Sequence, residues 1–295
     1  MTNLEILIAG VQVGPYESEN MFWKNFEESI SMLVKEKNPY LIALSELMHI
    51  PYLAVVKNDE EFNFAQTING EVVTKTVELS RKYNVHIIGT LFEKEETKQG
   101  GFNYYNSSFV CSPSRGLLGT YRKVHLPTID HPSLITNEKY YFEQFGGGGT
   151  EFPIFTLDNG VKIGCLICFD RSFPEAWKCL SVQGAQIVVV PTATFGFRYD
   201  LYVKELQIRA MENNVFVLAV NKAGNEVYPE NTPKRANFGC SNIINPKGEI
   251  LELAGDVPWS SIAQAISIST VEESKNLIDW KLERKPEVYK KYLYQ

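Results

Sequence analysis

The stretch Gly164-Cys165-Leu166-Ile167-Cys168-Phe169-Asp170-Arg171-Ser172-Phe173-Pro174-Glu175-Ala176-Trp177 constrains the fold more than any other part of the chain. Upstream, Val161, Ile163, Cys165 and Ile167 alternate with Lys162, Gly164 and Leu166, a period near two that predicts a strand stopping on Cys168. Downstream, Phe173, Ala176, Trp177 and Leu180 recur at helical spacing, with Pro174 suited to a first turn and Glu175 near the positive end of the helix dipole. Cys168 is therefore predicted in a strand-to-helix turn. A thiol there lies near backbone N–H groups not yet committed to helix bonds, which can lower its pKa and hold a developing oxyanion.

The rest of the chain repeats the strand-and-helix theme. Strands are predicted at Leu4 to Val13, Tyr40 to Leu44, Val85 to Phe92, Tyr105 to Ser112, Leu117 to Lys123, Gln186 to Pro191 and Val215 to Asn221. Helices are predicted around Phe22 to Leu33, from Gly70 to Tyr83 on a Val73, Val77 and Ser80 stripe, and from Leu201 to Glu212. Further strands fall at Cys240 to Asn245, Ile250 to Leu253 and Ala263 to Ile268. Alternation with appended strands gives an α/β class with mixed sheets, expected as one domain over residues 1–295 with a polar, aromatic tail from about 270. Two segments read as loops: charged Glu93 to Gly101, and Val124 to Thr150, closed by a flexible Gly146 to Gly149 turn.

Composition narrows the function classes. A net charge of -6 with acids and bases interspersed gives no footprint for nucleic acid or an anionic membrane, so a small-molecule partner is expected. No apolar run has membrane-spanning length, the N-terminus shows no basic-then-apolar leader, and five cysteines are an odd number for a disulfide framework. A cytoplasmic location follows as an expectation. Cys165 and Cys168 form a Cys-x-x-Cys, but no second pair stands at ligand spacing and the four histidines are scattered, so neither a metal nor another cofactor is implied.

Glu46, Lys123 and Cys168 each stand where a predicted strand ends, the place where ligands sit in open α/β folds. A carboxylate within reach can take a thiol proton, and a charged lysine can stabilise the oxyanion formed at a carbonyl or nitrile carbon. Those roles describe acyl transfer through a thioester. Taken singly, each residue has an ordinary reading: a buried small hydrophobe, a strand-end ion pair, a solvated lysine. Only their joint placement points to catalysis.

The motifs Leu44-Ser45-Glu46-Leu47, Tyr121-Arg122-Lys123-Val124-His125-Leu126-Pro127 and Gly164 to Glu175 resemble the nitrilase superfamily of carbon–nitrogen hydrolases. The resemblance extends to Gln207 to Asn213, Val217 to Asn221 and Asn245 to Ile250. It implies a four-layer αββα sandwich, Glu46 as general base, Cys168 as nucleophile, and Lys123 with the Phe169 N–H as oxyanion donors. It also implies a second glutamate, matched by Glu138 with Glu143 as competitor, and pairing into homodimers or higher homo-oligomers through an outer helical face.

The order Cys168-Phe169-Asp170-Arg171 with Glu138-Lys139-Tyr140-Tyr141-Phe142 is similar to N-carbamoyl amino acid amidohydrolases, where an arginine after the nucleophile grips the substrate carboxylate. Ser172 departs from the D-amino acid branch, which has a second arginine there, and Pro191-Thr192-Ala193-Thr194 lacks that branch's pattern. Arg171, Phe169 and Thr192 are the expected substrate-binding residues, with Arg171 equally open to a structural ion pair in the turn. A general aliphatic or ω-amidase on carboxamides stays close behind, ahead of a true nitrilase. A catalytically silent binding partner on the same scaffold is the alternative of another class. His49 and His125 are read as wall residues.

Overall fold

The computed structural model describes residues 4–226 and 236–293. In chain order it begins with strand β1 (Glu5–Val11), helix α1 (Glu19–Lys37), β2 (Leu41–Leu44), α2 (Glu71–Tyr83), β3 (His86–Glu96), β4 (Phe102–Ser112) and β5 (Gly116–Arg122). There follow β6 (Thr128–His131), β7 (Leu134–Asn137), α3 (Glu138–Tyr141), β8 (Ile154–Thr156), β9 (Lys162–Cys165), α4 (Pro174–Val182), β10 (Ile187–Thr192), α5 (Tyr199–Asn213) and β11 (Phe216–Asn221). The last third holds β12 (Ala223–Asn225), β13 (Ala236–Phe238), β14 (Asn242–Ile244), β15 (Ile250–Leu253), β16 (Ser261–Ser267) and helices α6 (Ser269–Leu277), α7 (Trp280–Glu283) and α8 (Pro286–Leu293).

Two six-stranded sheets carry the fold, in the orders β16-β1-β2-β3-β4-β5 and β15-β14-β11-β10-β9-β8. Each has a parallel centre (β1, β2, β3 and β9, β10, β11) flanked by antiparallel strands. Alternation then assigns the faces. Ile6 and Ile8 of β1 join Ile163, Ile187 and Val189 in a core between the sheets, while Ala9 and Val11 pack with Phe22, Phe26 and Ile30 of α1 and Val72 and Val73 of α2. Trp177 and Leu180 of α4 with Leu206 and Ala210 of α5 cover the outer face of the second sheet. The result is the αββα sandwich the resemblance implies. At Gly10 a Cβ would stand 2.7 Å from Val220, so β1 and β11 approach as only a glycine allows.

Several local expectations change. β3 continues through Glu96 instead of giving way to a loop, because buried Glu93 is neutralised by Arg122 and accepts a hydrogen bond from the Ser107 hydroxyl across the sheet. On α2 the buried stripe is Val72, Val73, Thr76, Leu79 and Ser80, with Val77 only half-buried. The predicted loop from Val124 to Thr150 contains the β6–β7 hairpin and α3. Its glycine run is tightly packed: a Cβ on Gly149 would stand 1.9 Å from the Arg122 carbonyl, and the Gly149 N–H donates to the Lys123 carbonyl at 2.8 Å. The tail from about 270 is helical. No described helix is long and apolar enough to cross a membrane.

Candidate active site

Strand β2 ends at Leu44 and the chain turns so that Glu46 is fully buried. Its Oε1 accepts from Asn106 Nδ2 at 2.7 Å and from Lys123 Nζ at 2.7 Å, and its Oε2 accepts from the Ala193 N–H at 3.0 Å. Lys123 follows the end of β5, where Arg122 is locked to Glu93 and Glu95 and lies 3.7 Å above the Tyr105 ring. The neighbouring Lys123 side chain therefore enters the interior, where Nζ also donates to Glu138 Oε1 at 2.6 Å. Burial alone would push the Lys123 ammonium down, but Glu138, Glu46 and Cys168 hold it well above its ordinary value.

Glu138 opens α3 directly after the β6–β7 hairpin and is fully buried. Tyr52 donates to its Oε1 at 2.5 Å and shares a 2.7 Å hydrogen bond with Thr136, while Oε2 has no partner among the described residues. Burial raises the Glu138 carboxyl to about 7, Lys123 opposing and Glu46 assisting. Glu143, the competing glutamate, is exposed in a turn beyond α3. Of the two, the structure brings Glu138 to Lys123.

β9 ends at Cys165, three residues before the expected stop, and a 3₁₀ turn over Cys168–Ser172 follows. Asp170 makes that elbow rigid. Its Oδ2 accepts from the Ile167 N–H at 3.0 Å and the Tyr121 hydroxyl at 2.6 Å; its Oδ1 accepts from the His125 N–H at 2.9 Å and the His125 ring Nδ1 at 2.8 Å. The His125 ring in turn stacks on Phe173 at 3.6 Å. Cys168 sits in this elbow with φ of 47°, a left-handed conformation uncommon for a residue with a side chain. Burial pushes its thiol up to about 12, the Glu46 charge adds to this, and Lys123 and Arg171 oppose it. The resting group is a neutral thiol close enough to Glu46 and Lys123 to feel both charges. The Phe169 N–H makes no hydrogen bond to another described residue, which leaves it free as a donor beside the sulfur.

Cys168 opens into a narrow cavity of about 50 Å³ whose walls include Tyr52, Ile129, Leu134, Phe169, Phe195 and Phe197. Arg171 and Arg198 also reach it. A larger open groove of about 510 Å³ between α4 and the C-terminal helices has no buried base or thiol in its lining. Thr192 is a correction: it is fully buried in β10, its hydroxyl donates to the Val190 carbonyl at 3.1 Å, and the next residues, Ala193 and Thr194, line the cavity instead. Arg171 is deeply buried, and its Nη1 donates to the Cys168 carbonyl at 2.7 Å and approaches the sulfur at 3.5 Å. Tyr52, Asn106 and Arg198 carried no sequence signal, since none of them lies within the three motifs.

The carbon–nitrogen hydrolase family model matches residues 7–276. The chain belongs to that family. It is 32% identical over 256 residues to a nitrilase of Pyrococcus abyssi, covering 85% of this chain and 86% of the relative. It is 29% identical over 271 residues to an N-carbamoylputrescine amidase of Arabidopsis thaliana, covering 88% and 86%. A carbon–nitrogen hydrolase structure from Helicobacter pylori superposes with a TM-score of 0.88 at 24% identity, covering 99% of both chains, and so shares the fold. The protein is a hydrolase acting on carbon–nitrogen bonds other than peptide bonds.

Proposed function

We propose that the chain is a cysteine-dependent amidohydrolase that releases ammonia from a small carbamoyl or amide substrate, N-carbamoyl amino acids being the preferred class. The observation that carries this reading is the buried set of Glu46, Lys123 and Glu138 joined at 2.6–2.7 Å beside the strained Cys168 elbow. Glu46 takes the thiol proton as sulfur attacks the carbonyl carbon. Lys123 and the Phe169 N–H stabilise the oxyanion. Glu46 returns the proton to the departing nitrogen, ammonia leaves, and a thioester remains. Water then gives its proton to Glu46, attacks the thioester, and the thiol is regenerated. With a carbamoyl substrate the carbamic acid product decays to amine and carbon dioxide.

The apolar walls contributed by Ile129, Leu134, Phe195 and Phe197 favour a second reading, a general amidase on neutral carboxamides with the same chemistry. The intact acid, lysine and thiol speak against a silent binding scaffold. Ammonia release is measured on N-carbamoyl amino acids of both hands, carboxamides and nitriles. Activity retained in Cys168→Ala would end both catalytic readings; a preference for neutral carboxamides would select the second.

A further inference from the structure

Two guanidinium groups reach the cavity wall, and they are committed differently. Arg171 belongs to the elbow: Nη1 holds the Cys168 carbonyl at 2.7 Å, the guanidinium lies 5.1 Å over the Tyr202 ring, and Nε faces Glu205 Oε2 at 3.3 Å in an ion pair without hydrogen-bond geometry. Arg198 comes from the turn ahead of α5, on the other side of the same carboxylate. Its Nη2 donates to Glu205 Oε2 at 2.7 Å and to the Ser172 hydroxyl at 2.9 Å. Its Nε is buried with no partner, and its Nη1 makes no hydrogen bond to a described residue.

Charge counting makes this arrangement unequal. Glu205 is one carboxylate between two arginines, so among the described residues one positive charge at this wall has no counter-ion. Arg198 is also the more accessible of the two, with 22% of its side chain exposed against 3% for Arg171, and it stands at the mouth beside half-exposed Phe197. A guanidinium fixed by a hydroxyl and a carboxylate, with donors left over and a surplus charge, is preorganised for a planar anion. The cavity at Cys168 is too narrow for more than the reacting amide, so the rest of a substrate lies toward this mouth.

We propose that Arg198 sets substrate choice by taking a carboxylate at the far end of a short amide or carbamoyl compound whose reacting carbon lies at Cys168. The inference rests on Cys168 being the nucleophile. Sulfur and Arg198 are linked through Arg171 and Glu205 by contacts of 3.5, 3.3 and 2.7 Å. That bounds the spacer between amide and carboxylate to about four carbons or fewer. Arg171, whose donors are turned to the elbow, is then a positioning residue for Cys168 and not the carboxylate clamp.

The test compares two pairs of near-isosteric compounds, succinamate with butyramide and N-carbamoylglycine with propylurea, reading ammonia release. The expected wild-type ratio of kcat/KM, anionic over neutral, is well above one. Arg198→Met lowers that ratio about ten- to a hundredfold, mainly through KM of the anionic member, and Arg198→Lys recovers part of it. Ser172→Ala leaves the guanidinium in place but unaimed, and moves the ratio severalfold in the same direction; it decides the matter if Arg198→Met does not fold. A wild-type ratio near one, or a loss shared equally by both members of each pair, overturns the proposal. Ammonia from the neutral members alone refutes the role of Arg198 while leaving the hydrolase reading intact; no ammonia from any of the four refutes both.

Discussion

Asp170→Asn tests whether the nucleophile elbow is held by charge or merely by shape. The carboxylate accepts four hydrogen bonds at 2.6–3.0 Å from Tyr121, Ile167 and His125, and it is fully buried. An asparagine has the same outline but only one acceptor oxygen. If its NH₂ takes the Oδ2 place, the Tyr121 hydroxyl can rotate to accept, but the Ile167 N–H faces a donor; in the Oδ1 place the His125 ring can change tautomer, but the His125 N–H is orphaned. Either way one buried backbone N–H loses its partner, at about 1–3 kcal/mol, and the surviving bonds lose their charge assistance. The expected cost is about 3 kcal/mol in urea unfolding, read from the shift in midpoint at constant slope. Because the Ile167 N–H bond anchors the residue before Cys168, kcat for ammonia release should fall at least about tenfold. An unfolding midpoint within about 0.5 kcal/mol of wild type together with unchanged kcat would refute the account of Asp170 as the brace of the elbow.

Glu46→Gln removes the proposed proton acceptor while keeping the volume, so kcat should drop by about a hundredfold or more; single-turnover ammonia release checks it. Glu138 has its carboxyl raised from 4.5 to about 7, so it favours the folded state below about 4.5 and that contribution is lost as pH rises through 7. At about 1.4 kcal/mol per pH unit this is worth about 3 kcal/mol, and the stability difference between wild type and Glu138→Gln, from urea midpoints, should slope across that window and be flat above it. Gly149→Ala would drive a methyl into the Arg122 carbonyl at 1.9 Å and displace Lys123, lowering both stability and kcat, whereas Gly148→Ala, with its nearest atom at 3.8 Å, serves as the control that stays near wild type.

What was legible in the sequence follows from which interactions are local. β2, β10 and β11 are covered on both faces, so their runs are continuously apolar and their ends, where Glu46 and Ala193 emerge, are sharply marked. Glu93 to Glu96 read as loop because nothing in the local pattern shows Arg122 arriving from β5 to neutralise Glu93. The four-residue strands of the β6–β7 hairpin are too short to establish a period, so the element that delivers Glu138 was invisible although Glu138 itself was not. Thr192 was misplaced by one residue. At a strand end a shift of one exchanges the side-chain faces: the Thr192 hydroxyl, expected to bind substrate, turns back to the Val190 carbonyl, and Ala193 lines the cavity.

In the mechanism proposed above, the charges of the site let a thiol pushed up to about 12 act as the nucleophile. Glu46, Lys123, Glu138 and Cys168 form one buried cluster around a single ammonium, and any change in its net charge would carry a desolvation penalty of several kcal/mol. Moving the proton from Cys168 to Glu46 changes nothing in that total: a negative charge leaves the carboxylate and appears on sulfur, still beside Lys123. Attack then carries the same charge to the substrate oxygen, where Lys123 and the free Phe169 N–H receive it. One negative charge thus passes among three places around one fixed cation, and the donors need no reorganisation at any step.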